Sequence, residues 1–290
     1  ELRRFRHANR INHLVMITDG RTYGDEEKCI QLADQAATLQ VGISTFGIGG
    51  QWNDIFLDTL TAKTGGSSFY IADARDIRQL LLDKVVGLGD IYANQVTYTF
   101  QTPADVDLSY AFRIHPESAT LTHTSPVILG AVPRKSKLAF MLEFYVNSIH
   151  SGASQVSLSE GKLSYLTPGI ANAATFIQRL DFHRPVSPVV DSSPPPAAII
   201  HAMSYLTLYR MQEKARADIA RGDVQSALRR LQNLATHLLA QGQRELSRQV
   251  MGEINHIQQH HSFSTEGEKQ IKYGTRSLIP TLARKENDYD

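Results

Sequence analysis

The chain has one cysteine, Cys29, in 290 residues. A single thiol excludes an internal disulfide framework and a cysteine-based zinc cluster. Its place inside a predicted helix makes it a small buried hydrophobe. Charge of one sign is also missing. The 30 Lys and Arg against 29 Asp and Glu leave a net charge of +1. With no long basic run, that balance argues against a nucleic-acid partner. No apolar stretch nears the ~20 residues of a membrane-spanning helix. There is no visible signal peptide and no Asn-x-Ser/Thr acceptor site. A soluble, cytoplasmic protein is the default expectation, with the compartment open if an N-terminal signal is missing. No Gly-x-x-x-x-Gly-Lys-Ser/Thr loop exists, so the chain lacks the phosphate cradle of a P-loop ATPase.

What is there begins with Leu14-Val15-Met16-Ile17-Thr18-Asp19-Gly20. Four apolar residues followed by a polar pair suit a strand buried on both faces. An acid at the C-terminal end of such a strand stands where open α/β sheets bind ligands. Gly24-Asp25-Glu26-Glu27 reads as a helix start, with acids at the positive end of the helix dipole. That helix is predicted to run to about Leu39, packing through Ile30, Ala33, Ala36 and Ala37. A strand over Val41–Ile48 follows, then a helix near Asn53–Lys63 with Trp52, Phe56 and Leu60 at helical spacing. Ser68–Ile71 is a short strand. Arg75–Leu88 is a helix with Ile77, Leu81, Val85 and Leu88 on one face. Strand–helix alternation of this kind predicts a parallel sheet with right-handed crossovers.

These residues resemble the C-terminal half of a von Willebrand factor A domain. The strand ending in Thr18-Asp19-Gly20, the strand ending in Gly47-Ile48-Gly49 and the Ala62-Lys63-Thr64-Gly65-Gly66 before a short strand carry the likeness. It covers roughly residues 10–90. The resemblance implies a divalent-ion site, usually Mg²⁺, that docks a protein partner. In that family the ligands are an Asp-x-Ser-x-Ser loop, a Thr from a middle loop and the Asp of the Thr-Asp-Gly strand end. Only the last matches here, at Asp19 with Thr18 adjacent. The expectation is therefore a fragment lacking the first half of the domain, in which Glu1–Arg10 is a helix end plus linker. Mg²⁺ would bind weakly or not at all, because one carboxylate is a poor octahedral site. The partner-binding loops would be those at Gly20, Arg21, Thr22, Tyr23, Gly49 and Gly50. An incomplete sheet also predicts self-association through the exposed edge of the Asp19 strand.

Around Gly89 the periodicity changes from helix to strand. Val96, Tyr98 and Phe100 alternate with polar residues, as do Leu138, Phe140, Leu142, Phe144 and Val146. Leu108, Tyr110, Phe112 and Ile114 do so too, and Phe176, Leu180 and Phe182 continue the pattern. Shorter strands are predicted at Ala119–Leu121, Val127–Leu129, Val156–Leu158 and Leu163–Leu166. Turns are predicted at Pro103, His115-Pro116, Pro133-Arg134, Ser151-Gly152, Glu160-Gly161 and Pro168-Gly169. Period-two strands at this spacing indicate an antiparallel sandwich with one wet and one dry face. A sandwich after an A domain resembles, by domain order alone, bacterial A-domain proteins of the chloride-channel-like and inter-alpha-trypsin-inhibitor-like kind. Arg184–Ala197 is a Pro- and Ser-rich linker.

From Ala198 the chain reads as helical: His201–Arg221, Val224–Ala240, Gln243–His260 and a short helix near Glu268–Leu278. Gly222 suits a helix stop and Asp223 a cap. The fold class is a multidomain α/β, all-β and α chain. Its expected divisions are 1–90, 91–184, a linker at 185–197, a helical region at 198–282 and a polar tail at 283–290.

Other patterns have plainer readings. Asp25, Glu26 and Glu27 favour a helix N-terminus more readily than a metal. Gly47-Ile48-Gly49-Gly50 fits a turn better than a phosphate loop. Arg221-Gly222-Asp223 spells an adhesion tripeptide but also a helix stop and restart. His256 and His260, beside His261, are spaced to bind Zn²⁺ or Ni²⁺, but the stretch lacks the glutamate of a zinc protease. Ser159-x-x-Lys162 falls in a predicted turn with no partner motif. The expected function is a non-enzymatic protein-interaction module. The alternative is a Mg²⁺-dependent phosphoryl-transfer enzyme or ATPase fragment, because the Asp19 strand also resembles the metal-holding strand of those folds.

Overall fold

The computed structural model describes residues 4, 10–21, 24–168, 175–189 and 193–279. Thr22, Tyr23, most of the Glu1–Arg10 stretch, the Gly169 turn residue and the 283–290 tail lie outside them. The first unit runs β1 (Asn12–Thr18), α1 (Glu26–Thr38), β2 (Val41–Ile48), α2 (Asp54–Thr64) and β3 (Ser68–Ile71). A 3₁₀ turn (Ala74–Asp76) then leads into α3 (Ile77–Gly89). The strands form a parallel sheet in the order β1-β2-β3. All seven residues of β1 pair with β2, from Asn12 opposite Val41 to Thr18 opposite Gly47. Ala33 from α1 and Trp52, Phe56, Leu57 and Leu60 from the α2 segment bury one side of the sheet. The 3.6-residue spacing of Trp52, Phe56 and Leu60 is thus a packing face, as expected. The sequence pattern predicts β1 buried on both faces, but it stands at the edge of the described sheet with no residue fully buried and Ile17 45% exposed, because it pairs with β2 alone.

The helix after β3 departs from expectation. Its first turn is 3₁₀, and no residue of α3 is fully buried. Val85, assigned to the packed face, is exposed, as are Leu82 and Val86. Only one side of α3 meets the sheet, through contacts such as Lys84 Nζ over the Phe69 ring at 5.6 Å.

The middle region contains β4 (Ile91–Gln101), β5 (Val106–His115), β6 (Ala119–Thr120), β7 (Val127–Pro133) and β8 (Ala139–Val146). It continues with β9 (Gln155–Leu166), β10 (Thr175–Arg179) and β11 (Phe182–Pro185). One antiparallel sheet is ordered β10-β9-β4-β7 with β11 also on β9, and the other β6-β5-β8. Tyr98, Phe100, Val127 and Leu129 from the first pack against Ala111 and Leu142 from the second. This is the expected sandwich, with two corrections. The Glu160-Gly161 turn does not exist: both residues lie inside the continuous strand β9. Gly161 is there because a Cβ would come within 2.5 Å of the Thr99 carbonyl oxygen and 2.8 Å of Tyr98. Ser159 is likewise a strand residue, buried and 2.8 Å from the Tyr98 hydroxyl. The second correction concerns the wet face. Ala111, Phe112, Arg113 and Ile114 are all buried, so this part of β5 is covered on both sides. Phe112 and Ile114 pack on Leu206, Tyr209 and Ile279 of the helical region.

The described residues of that region form four helices: α4 (Ala197–Ala220), α5 (Val224–Ala240), α6 (Arg244–His260) and α7 (Thr265–Leu278). Leu231, Leu234, Leu238, Val250, Ile254 and Ile257 form its core. The Arg221-Gly222-Asp223 tripeptide is a helix stop and restart. Gly222 sits at φ +82°, and the Asp223 carboxylate accepts from the Ser226 N–H at 3.0 Å. No helix among the described residues is long and apolar enough to cross a membrane.

Candidate functional site

The C-terminal ends of β1 and β2 lie side by side because the strands are parallel and in register. Asp19 and Arg21 are exposed there, just after β1. The Thr18 hydroxyl donates to the Gly20 carbonyl at 3.2 Å and closes the turn locally. After β2, Gly49 adopts φ +65°. Gly47 leaves room for Trp52, whose indole atoms would lie within 1.9 Å of a Cβ there. The Trp52 indole donates to the Gly49 carbonyl at 2.7 Å. The glycine run is therefore a seat for one aromatic ring. A phosphate loop would need those backbone N–H groups free of such packing.

A divalent ion requires several oxygen ligands converging on one point. Among the described residues no group of three or more His, Cys, Asp or Glu could hold a metal. The Thr18 hydroxyl is turned to its own loop. The described residues around Asp19 thus do not fit a closed ion site. Asp25 caps α1 without a side-chain hydrogen bond, and Glu26 and Glu27 lie in its first turn. The His256 and His260 rings lie 4.4 Å apart, tilted by 37°, without a third ligand among the described residues.

The structure brings to this end of the sheet a set of residues that pattern reading passed over. Asp54 and Asp58, four apart on α2, face Lys269, Lys272 and Arg276 on α7. Lys272 Nζ bonds the Asp54 carboxylate and lies 2.7 Å from Asp58 Oδ2. Arg276 grips Asp58 with both terminal nitrogens, at 2.9 and 2.7 Å, and reaches Ser68 Oγ at 3.0 Å and the Tyr209 hydroxyl at 2.6 Å. From α4, Arg216 bridges Asp54 at 2.9 and 3.2 Å and Glu268 at 2.6 Å. The side chains of Lys272 and Arg276 are each 4% exposed. Burial by itself would raise the Asp58 carboxyl; Arg276 and Lys272 more than reverse this and hold it far below the usual carboxylate range. Asp54, opposed by burial in the same way, is brought down to about 2 by Lys272 and Arg216. Tyr273 completes the joint by entering the α/β core between Trp52, at 5.7 Å, and Tyr70, at 6.0 Å. The sequence signal was an acid pair at i, i+4 on one helix and bases at i, i+3 and i+7 on another. Neither helix revealed its partner.

The helical region therefore forms one wall of the strand-end site. A Cβ on Gly50 would lie 3.1 Å from Thr265, at the start of α7. Between them is a recess of about 290 Å³ lined by Arg21, Gly50, Trp52, Asn53, Arg216 and Lys269, among others. Two of the predicted partner-binding residues, Arg21 and Gly50, line it. Asp19, Gly20 and Gly49 do not, and Thr22 and Tyr23 are outside the described residues.

A second polar cavity lies near the opposite end of β1. His13 Nε2 is 2.9 Å from Ser44 Oγ, and Lys84 pairs with Glu117 at 2.7 Å. Arg113 is buried there, donating to the carbonyls of Gly65, Gly66, Glu117 and Leu129. Burial, with Lys84 nearby, lowers His13 to about 4.

Comparison with known proteins agrees with this architecture. Residues 197–281 match the family described as Sll0103-like, C-terminal alpha-helical domain. The uncharacterized protein sll0103 of Synechocystis sp. is 23% identical over 239 residues, covering 78% of this chain and 56% of that protein. The structure of a von Willebrand factor type A protein from Catenulispora acidiphila superposes with a TM-score of 0.67 at 14% identity. That match covers 92% of this chain and 65% of the other. The chain thus spans little more than half the length of the curated relative and under two thirds of the solved one. In fold, then, the chain is similar to a von Willebrand factor type A protein, and its residues 197–281 resemble the Sll0103-like C-terminal helical domain.

Proposed function

We propose that the chain is a non-enzymatic protein-interaction module whose partner docks at the C-terminal ends of β1 and β2. One observation carries this reading. The loops after these strands open onto a recess walled by α7, so two parts of the chain present one continuous surface. The helical region is joined to the α/β unit by the buried ion pairs of Asp54 and Asp58, which suits a preformed docking face. Within this reading, Thr18-Asp19-Gly20 is one element of an ion-dependent adhesion site, and any further ligands come from outside the described residues.

The test is a comparison of captured proteins. The tagged chain and its Gly20→Phe variant are used as baits, and bound proteins are identified by mass spectrometry. A Cβ on Gly20 meets nothing within 4 Å among the described residues, so the position accepts a side chain on the docking face. The expected result is a defined partner retained by the unaltered chain and lost by the variant. A set of bound proteins identical for both baits would refute the assigned face.

A further inference from the structure

We propose that the recess between the strand-end loops and α7 captures a carboxylate side chain of an acidic segment in the protein partner, with Lys269 Nζ as its central ligand. The inference rests on the interaction-module reading and supplies the chemistry of its contact. Lys269 is 4% exposed and lines the recess. Its Nζ sits 5.3 Å from the Trp52 ring centroid. Among the described residues no acceptor lies within hydrogen-bond distance of that ammonium. The Lys269 stem is packed away from water while the ammonium faces the recess, where an anion can reach it. Lys272, one turn away, is paired with two carboxylates.

The nearby acids Asp54 and Glu268 act on Lys269 through space, but their hydrogen bonds go elsewhere. Asp54 is held by Arg216 and Lys272, and Glu268 by Arg216. Other donors face the same space. The starts of α2, at Asp54 and Ile55, and of α7, at Thr265, line the recess, and the first N–H groups of a helix have no intrahelical acceptor. The Asn53 and Ser264 caps satisfy only the later Phe56 and Gly267 N–H groups. Arg21 adds a second cation at the rim. Charge selects among oxyanions. Asp54 and Glu268 line the recess, so a doubly charged phosphate meets repulsion where a single carboxylate is matched by the Lys269 ammonium. Burial pulls the Lys269 pKa down, and a bound anion would draw it back up.

Trp52 is the sole tryptophan and lies against Lys269, so its emission reports the recess directly. The full chain is titrated with a hexaglutamate peptide and, separately, with inorganic phosphate. Both titrations are repeated on Lys269→Gln and Lys269→Arg. The expected result is a saturable change with hexaglutamate, weakened about ten-fold or more in Lys269→Gln, as loss of a charge-assisted hydrogen bond implies. Lys269→Arg should keep affinity within a few-fold and shows that the position tolerates replacement. No response to the peptide, or a response unchanged in Lys269→Gln, overturns the proposal. Tighter saturation by phosphate than by peptide overturns the assignment to a carboxylate. A partner captured by the chain and lost with Gly20→Phe, together with silence toward hexaglutamate, would sink the oxyanion pocket alone and leave the docking face standing.

Discussion

Replacing Asp58 by Asn tests whether the helical region is locked to the α/β unit by buried charge. Asn keeps the size of the side chain and removes its charge. Arg276 would lose its paired acid, and Lys272 would be left with Asp54 alone. Both bases are 4% exposed, so water cannot replace the missing carboxylate. Removing one partner of a buried pair costs about 3–5 kcal/mol, because the other charge stays buried. At about 2–4 °C per kcal/mol for a chain somewhat smaller than this one, the midpoint should fall by roughly 6–20 °C. Differential scanning calorimetry measures the shift, and urea unfolding followed by Trp52 emission gives the free energy at the joint itself. Adding Arg276→Met to the Asn variant should recover part of the loss, since it removes the stranded cation. A loss below about 1 kcal/mol, the value for an exposed pair, would refute the reasoning. So would a double variant weaker than the sum of its two single changes.

Two further outcomes are expected. His13 is held neutral in the folded chain, at about 4 against an ordinary 6.5. The unfolded chain therefore binds the extra proton first. Stability from this group is complete above pH 6.5 and is lost as pH falls toward 4, by about 3 kcal/mol. His13→Gln should flatten urea-unfolding free energies across that window, and an unchanged slope would exclude His13 as the cause. Calorimetric titration of Mg²⁺ or Mn²⁺ into this chain should show no saturable site, because among the described residues no group of three or more His, Cys, Asp or Glu forms a metal site with Asp19. Saturable binding that disappears in Asp19→Ala would mean that an ion site is completed in a way the described residues do not show.

Much of the architecture was legible because short-range rules govern it. The existence of a strand before Asp19, the alternating strands of the sandwich and the Gly222-Asp223 break each carry their pattern within a few residues. Errors fell where a neighbour distant in sequence decided the outcome. Glu160-Gly161 looked like a turn because glycine and a charge commonly make one. In the fold that glycine admits the Tyr98 and Phe100 side chains to β9. β5 was assigned a wet face because its alternation is that of a half-exposed strand. The helical region covers that face through Leu206 and Tyr209.

The candidate site divides in the same way. The sequence determined that an acid and two glycine turns stand at the ends of parallel strands, because strand length and polarity set where each strand stops. The tertiary structure alone decided that α7 would be the wall facing them. Asp54 and Asp58 are separated from Lys272 and Arg276 by about two hundred residues, and each set by itself reads as a solvated helix face. Electrostatic pairing depends on distance in space and on exclusion of water, and neither is written in local order. Lys269 became a buried cation facing an open recess only when the two helices met over Trp52.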